Sequence, residues 1–393
     1  MIDPSAAQGR RIPFGQPMLG QAERDAVTAV LNGSTLTHGP RVREFEEAFA
    51  RFTGAPHAVA TSTCAAALHL AALALDIGPG DEVLVSAQTH VATAHAIELC
   101  GARPVFVDSE PRTGNIDPRR LAESVTPRTK AIALVHYIGV PADMKAVREI
   151  ADRNQLRVIE DCALAPGATV EGVHVGLIGD AGCFSFYPAK HMTTGEGGML
   201  ITRDANVARR AAQLRAFGID RNIVADRDLP GRYDVQALGL NYRMSEMAAA
   251  LGIEQIKRLP EFLRSRRANF RRLAVGIRNI DGLRVIAADQ DVAHCAAYCL
   301  VALLDEDCAP RRDDVLRALQ RRGVGASVYY PAPVPRMSYY REKYGYDAGR
   351  FRHAARISDA SIALPVGPHL DDADIDFMID ALRASLAEAT ADV

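Results

Sequence analysis

A lone lysine, Lys190, follows an apolar run that holds Phe184 and Phe186 and stops at Pro188, and it precedes the turn Thr193-Thr194-Gly195-Glu196-Gly197-Gly198. That pattern presents one amine at the mouth of a pocket. An amine in water is protonated and not nucleophilic, whereas one partly desolvated near another cationic centre attacks an aldehyde and forms a Schiff base. Asp161, 29 positions earlier, ends the strand-like run Arg157 to Asp161. A buried carboxylate is costly unless it meets a cation, and a protonated pyridine nitrogen is such a cation. A Schiff-base lysine and an acidic partner for the ring nitrogen are what a protein contributes to pyridoxal phosphate chemistry. Taken singly, Lys190 reads as a solvated surface lysine and Asp161 as the cap of the following helix. Together they favour the cofactor.

The elements that must hold these groups are legible in chain order. Helical periodicity covers Glu23 to Leu31 and Val42 to Phe52, with the polar turn Thr35 to Pro40 between them. A short strand, Ala58 to Thr61, meets Ser62-Thr63-Cys64 and a small-residue helix, Ala65 to Leu75. A strand, a small-residue turn and a helix N-terminus suit a phosphate, because the first helical amides are free to point at an anion. Strands at Val83 to Val85, Val105 to Val107, Ala131 to His136 and Arg157 to Ile159 then alternate with helices. This spacing predicts an α/β fold, a mainly parallel sheet flanked by helices, with ligands at the carboxyl ends of the strands. A Gly- and Pro-punctuated loop, Gly218 to Gly239, leads through Asn241-Tyr242-Arg243-Met244 to an apolar helix, Ser245 to Leu251. A boundary at Leu259-Pro260, where a basic helix, Glu261 to Ile277, leads on, divides a large domain, residues 1–259, from a smaller C-terminal α+β domain, residues 260–393.

Composition narrows the classes of function. A formal charge of -2 over 393 residues leaves no electrostatic footprint for nucleic acid or an anionic membrane. No stretch reaches the length of a membrane span, and the start of the chain has no apolar signal-like core. The seven cysteines lack the paired spacing of a zinc site and read as reduced thiols of a cytoplasmic protein, so no metal is expected.

Several ordered stretches resemble the DegT/StrS family of sugar aminotransferases, fold-type I pyridoxal phosphate enzymes: LTHGPRVREFEEAFA, THVATAHAIELCGARPVFVD, VIEDCALAPGA, GLIGDAGCFSFYPAKHMTTGEGGMLIT, GLNYRMSEMAAALG and SIALPVGPHL. The resemblance implies that Lys190 is the Schiff-base lysine and proton shuttle and that Asp161 partners the pyridine nitrogen. It implies that the His90 ring stacks on the cofactor, and that Ser185 with the backbone of Cys64 and Ala65 holds the phosphate. Asn241 matches an asparagine that reaches the phosphate from a neighbouring subunit, which implies a homodimer with shared active sites. Thr35 and His38 in one turn, and Tyr329 and Tyr330 in another, occupy positions that look substrate-facing. Two departures stand out: Ala65 replaces a usual threonine, and Leu164 replaces a glutamine or histidine that commonly meets the cofactor's phenolic oxygen.

The expected activity is transfer of an amino group from glutamate or glutamine to a keto-sugar, with a nucleotide-linked hexose as the expected acceptor and pyridoxamine phosphate as the intermediate cofactor form. Such a reaction serves amino-sugar biosynthesis for surface polysaccharides or secondary metabolites. Two rivals are a dehydratase of the same family, which has histidine in place of Lys190, and a non-catalytic regulator on the same fold. The intact Lys190 and Asp161 disfavour both.

Overall fold

The computed structural model describes residues 10–219, 233–287 and 291–390. The strands are β1 (His57–Thr61), β2 (Glu82–Ser86), β3 (Arg103–Val107), β4 (Thr129–Val135), β5 (Arg157–Asp161), β6 (Thr169–Val170), β7 (Val173–His174), β8 (Ala181–Ser185), β9 (Gly198–Thr202), β10 (Leu283–Val285), β11 (Cys299–Leu304) and β12 (Ser361–Pro365). The helices are α1 (Gln21–Leu31), α2 (Pro40–Thr53), α3 (Cys64–Ala74), α4 (Val91–Leu99), α5 (Pro118–Glu123), α6 (Met144–Arg153), α7 (Ala205–Leu214), α8 (Glu246–Ile277), α9 (Arg312–Arg321), α10 (Ser338–Tyr344), α11 (Arg352–Ala360) and α12 (Asp372–Thr390).

Seven strands form the main sheet in the order β1-β9-β8-β5-β4-β2-β3. Strands β8, β5, β4, β2 and β3 run parallel, and β9 is antiparallel to both of its neighbours, so β1 shares the common direction. Strands such as β2 (EVLVS) and β9 (GMLIT) are buried along their whole length, as sheets covered on both faces require. Helix α3, CAAALHLAALA, is buried nearly all round, because its small side chains let it lie close against the sheet. One edge of this sheet therefore collects the carboxyl ends of β1, β2, β5 and β8.

The smaller body is an antiparallel sheet, β10-β11-β12, packed with α9, α11 and α12. The apolar helix expected at Ser245 to Leu251 and the basic one beyond Pro260 are a single helix, α8, with Pro260 in its interior. Pro260 forfeits one backbone hydrogen bond, and the burial of Leu259, Phe262 and Leu263 beside it offsets that loss. The chain also crosses between the bodies elsewhere. Ile12 pairs with Val324 at the edge of the small body, and α10 returns to the large one, where Tyr340 meets Phe106 at 5.3 Å. Asp108, just after β3, accepts from the His353 and Ala354 amides and so caps α11.

Glu160 is fully buried beside Asp161 and organises the turn between β7 and β8. Its carboxylate accepts from His136 Nε2 at 2.9 Å and from the amides of Gly176, Ile178 and Gly179. Burial pushes its pKa up, yet these donors outweigh burial and hold it below the ordinary glutamate value. Its contribution to stability is therefore complete above about pH 4.3 and is lost as pH falls through the depressed folded value. Glu160→Gln should cost at least about 1.5–3 kcal/mol at pH 7, the scale of one hydrogen bond to a charged group, because the amide cannot accept from every donor that the carboxylate satisfies. Its stability should then fall less between pH 5 and pH 3 than that of the wild type, and urea unfolding at several pH values measures both.

Candidate active site

The stretch around Lys190 is held from both sides. Phe184 and Phe186 lead into it and are clamped by Phe45 and Phe49 at ring-centroid distances of 5.0–5.5 Å. The lysine sits in a turn closed by its own amide on the Tyr187 carbonyl at 2.8 Å. Beyond it, the Thr193 hydroxyl donates to the Phe186 carbonyl, and Gly195, at φ +79°, reverses the chain into β9. Gly198 opens β9 so close to α3 that an added Cβ would stand 2.4 Å from Thr63 and 2.6 Å from the Cys64 nitrogen. A glycine is the residue that lets the Lys190 turn and the α3 N-terminus share this space.

Lys190 is half-buried, and its Nζ lies 5.0 Å from the centre of the Tyr298 ring. Burial holds the amine below an ordinary lysine, while the Asp161 charge acts in the opposite direction. Asp161 is 2% exposed at the end of β5. Its Oδ1 accepts from the Ala163 amide at 3.0 Å and its Oδ2 from the Thr93 hydroxyl at 2.7 Å. His90 caps α4 by accepting from the Ala92 amide, and its exposed ring meets Tyr330 edge-on at 5.9 Å. Burial of its nitrogens lowers the His90 pKa, an effect the Asp161 charge opposes and the Lys190 charge reinforces, which places the three groups in one electrostatic neighbourhood.

Thr63 caps α3 by accepting from the Ala66 amide at 3.0 Å, so the Cys64 and Ala65 amides ahead of it open the helix. Ala65 is exposed there, and Ser185 at the end of β8 is half-buried. An amine, a carboxylate for a protonated ring nitrogen, free helix amides and a hydroxyl for a dianion are the donor set that pyridoxal phosphate needs. These residues fit that group. Leu164 is fully buried and packs with Tyr137, Ile138 and Tyr298 in the core.

The other positions matched from the sequence fall into two further groups. Tyr329 and Tyr330 line the same mouth: the Tyr329 carbonyl accepts from Gln88 and Tyr137, and its hydroxyl bonds that of Tyr298 at 2.6 Å. Asn241 and His38 meet instead at Arg243, whose Nε donates to Asn241 Oδ1 at 2.8 Å and whose guanidinium reaches His38 Nε2 at 2.6 Å. Thr35 packs against Gly39 in the turn before α2. Residues 220–232 of the loop expected from Gly218 to Gly239 lie outside the described residues. Three contributors escaped the sequence reading: Thr93, Tyr298 and Phe14, whose ring stacks on Tyr329 at 5.6 Å. Of these, Thr93 left a signal, a second threonine four residues after Thr89 at the start of a helix.

Among the described residues, His136, Glu160 and Cys162 bring metal-ligand atoms within 4.8 Å of one another. The histidine has no lone pair to spare there, since Nδ1 accepts from the Ala142 amide and Nε2 faces the carboxylate.

Residues 17–383 match the family model for the DegT/DnrJ/EryC1/StrS aminotransferases. The chain belongs to this family. It is similar to the spore coat polysaccharide biosynthesis protein SpsC of Bacillus subtilis, 37% identical over 95% of this chain and 96% of that protein. Among solved structures it resembles the aminotransferase TlmJ from Streptoalloteichus hindustanus at 36% identity and TM-score 0.88, covering 96% of this chain and 100% of that one. It also resembles DesI, solved in the presence of its TDP-sugar product, at 33% identity and TM-score 0.87 over 98% of this chain and 96% of that one. Neighbouring structures of the fold are known in pyridoxal phosphate and pyridoxamine phosphate forms. The protein is a pyridoxal phosphate-dependent sugar aminotransferase with the fold-type I architecture.

The opposing effects on Lys190 give a test in the apoprotein. Acetylation of Lys190 by acetic anhydride, followed by peptide mass spectrometry, should show a midpoint below the ~10.4 of a free lysine. Asp161→Asn removes the charge that raises it. The midpoint should therefore move lower still in that variant, and a midpoint that rises would contradict the placement of the two groups.

Proposed function

We propose that this sugar aminotransferase moves an amino group from glutamate or glutamine to a nucleotide-linked keto-hexose, in the cytoplasm, and so feeds surface-polysaccharide or secondary-metabolite biosynthesis. The observation that carries this reading is the half-buried Lys190 amine in the electrostatic neighbourhood of the buried Asp161 carboxylate, at the strand edge where the α3 N-terminus also opens. The nucleotide-linked acceptor is supported by the resemblance to DesI, whose product is a TDP-sugar, and the polysaccharide by the name of SpsC. No helix among the described residues is long and apolar enough to cross a membrane.

When bound, the cofactor supplies an electron sink for the pair left behind as a proton departs from the donor's α-carbon. Asp161 keeps the ring nitrogen protonated, and Lys190 first anchors the cofactor and then carries the proton between two carbons within reach of its own side chain. A lowered amine pKa suits this second task, because a shuttle must both accept and release the proton near neutral pH. The first amides of α3 and the Ser185 hydroxyl hold the phosphate, and the His90 ring covers one face. Ala65 brings no hydroxyl to that phosphate, and Leu164, turned into the core, brings no donor to the phenolic oxygen. A dehydratase would have histidine in place of Lys190.

Two copies complete the site in this reading, with Asn241 reaching the partner's phosphate. The described residues ahead of Asn241 support a second copy, because Phe217, Tyr233, Val235 and Leu238 are 45%, 63%, 53% and 94% exposed. Apolar groups so concentrated mark contact surfaces.

Borohydride reduction of the holoenzyme should fix the cofactor to the peptide containing Lys190, and labelling of another lysine would overturn the assignment. Lys190→Ala should retain cofactor non-covalently while amino transfer falls by more than the ~10²–10⁴-fold that acid-base catalysis alone contributes. Asn241→Ala and Lys190→Ala subunits, each inactive alone, should regain activity when exchanged into heterodimers, since one of the two sites then has both residues. Proven exchange without any regain would count against shared sites.

A further inference from the structure

Thr89 and Thr93 flank the start of α4, are 0% and 1% exposed, and point their hydroxyls at each other across 2.8 Å. Thr93 continues to Asp161 Oδ2 at 2.7 Å. As a carboxylate, Asp161 can only accept, so the Thr93 proton is committed to it. The Thr93 oxygen must then accept from Thr89, which fixes the direction of the whole chain. Such chains polarise in sequence and strengthen each link in a low-dielectric interior.

We propose that Thr93, oriented by Thr89, is a positioning residue for the cofactor. With the Ala163 amide on Oδ1 and the Thr93 hydroxyl on Oδ2, each carboxylate oxygen has a donor of its own, and rotation about the Cβ–Cγ bond breaks both contacts. The carboxylate is thereby held in one plane before any ligand arrives, and ligand binding does not have to order it. This inference rests on the reading of Asp161 as partner of the ring nitrogen. It assigns the orientation of that partner to the helix that follows a different strand, β2 and not β5.

The test uses the full-length enzyme as Thr93→Val, Thr93→Ser and Asp161→Ala, with pyridoxal phosphate as the probe. Thr93→Val should raise the Kd for pyridoxal phosphate about tenfold, the scale of one buried hydrogen bond to a charged group. It should also move the pH at which the bound cofactor's absorbance changes, and Thr93→Ser should restore both values to within about twofold. A role confined to folding would lower the thermal midpoint of the apoprotein and leave affinity and absorbance as in the wild type, and that result overturns the inference. Thr93→Ala decides in the same way if Thr93→Val does not fold. Asp161→Ala separates the two levels: wild-type affinity and absorbance there remove Asp161 from the site and the inference with it. Loss in Asp161→Ala beside a wild-type Thr93→Val removes the inference alone.

Discussion

A carboxylate at the buried end of a parallel strand is the constraint around which this protein is built. Asp161 is removed from water by the sheet beside it and by α4, and desolvating it without partners would cost several kcal/mol. The chain meets that cost with an amide, a hydroxyl and the field of a nearby amine, and each is held by a separate element. The sheet order matters for this reason. With β5 central between β4 and β8, its carboxyl end is reached from one side by the β2–α4 turn and from the other by the β8–β9 connection.

That connection carries the second constraint. Lys190 must approach Asp161 closely enough to be influenced by it and yet keep its own pKa below the ordinary value. Burial lowers it, and Tyr298, which belongs to the small body, sets its ring 5.0 Å from the amine. The small body is thus part of the electrostatics of the site as well as a wall of the pocket. Through Tyr298 and Tyr329 the packing of Phe14, near the start of the chain, is coupled to the same amine.

Much of this was legible in the sequence, and the reason differs from element to element. Strands such as β4 announce themselves because burial on both faces demands apolar runs, and the end of β5 is conspicuous because Glu160 and Asp161 close such a run with two carboxylates. Lys190 is legible from the turn chemistry around it. The contacts of Thr93, Tyr298 and Phe14 were not, since a threonine in a helix, a tyrosine before a strand and a phenylalanine in an extended arm have many ordinary explanations. Each acquires its role from chain segments far away in sequence. The two helices expected on either side of Pro260 failed to appear separately because local propensity, which favours a stop before proline, is weaker than the burial of Leu259, Phe262 and Leu263.

The unbroken course of α8 bears on how the two bodies can move. Its 32 residues make a rod about 48 Å long, anchored in the large body at one end and in the small body at the other. A rod of that kind transmits torque and does not fold. Closure of the small body over an acceptor sugar would have to turn about the axis of α8 or flex it at Pro260, where one rung of its ladder is absent. The strand-like arm at Ile12 and the α10 return would then act as tethers that limit the arc.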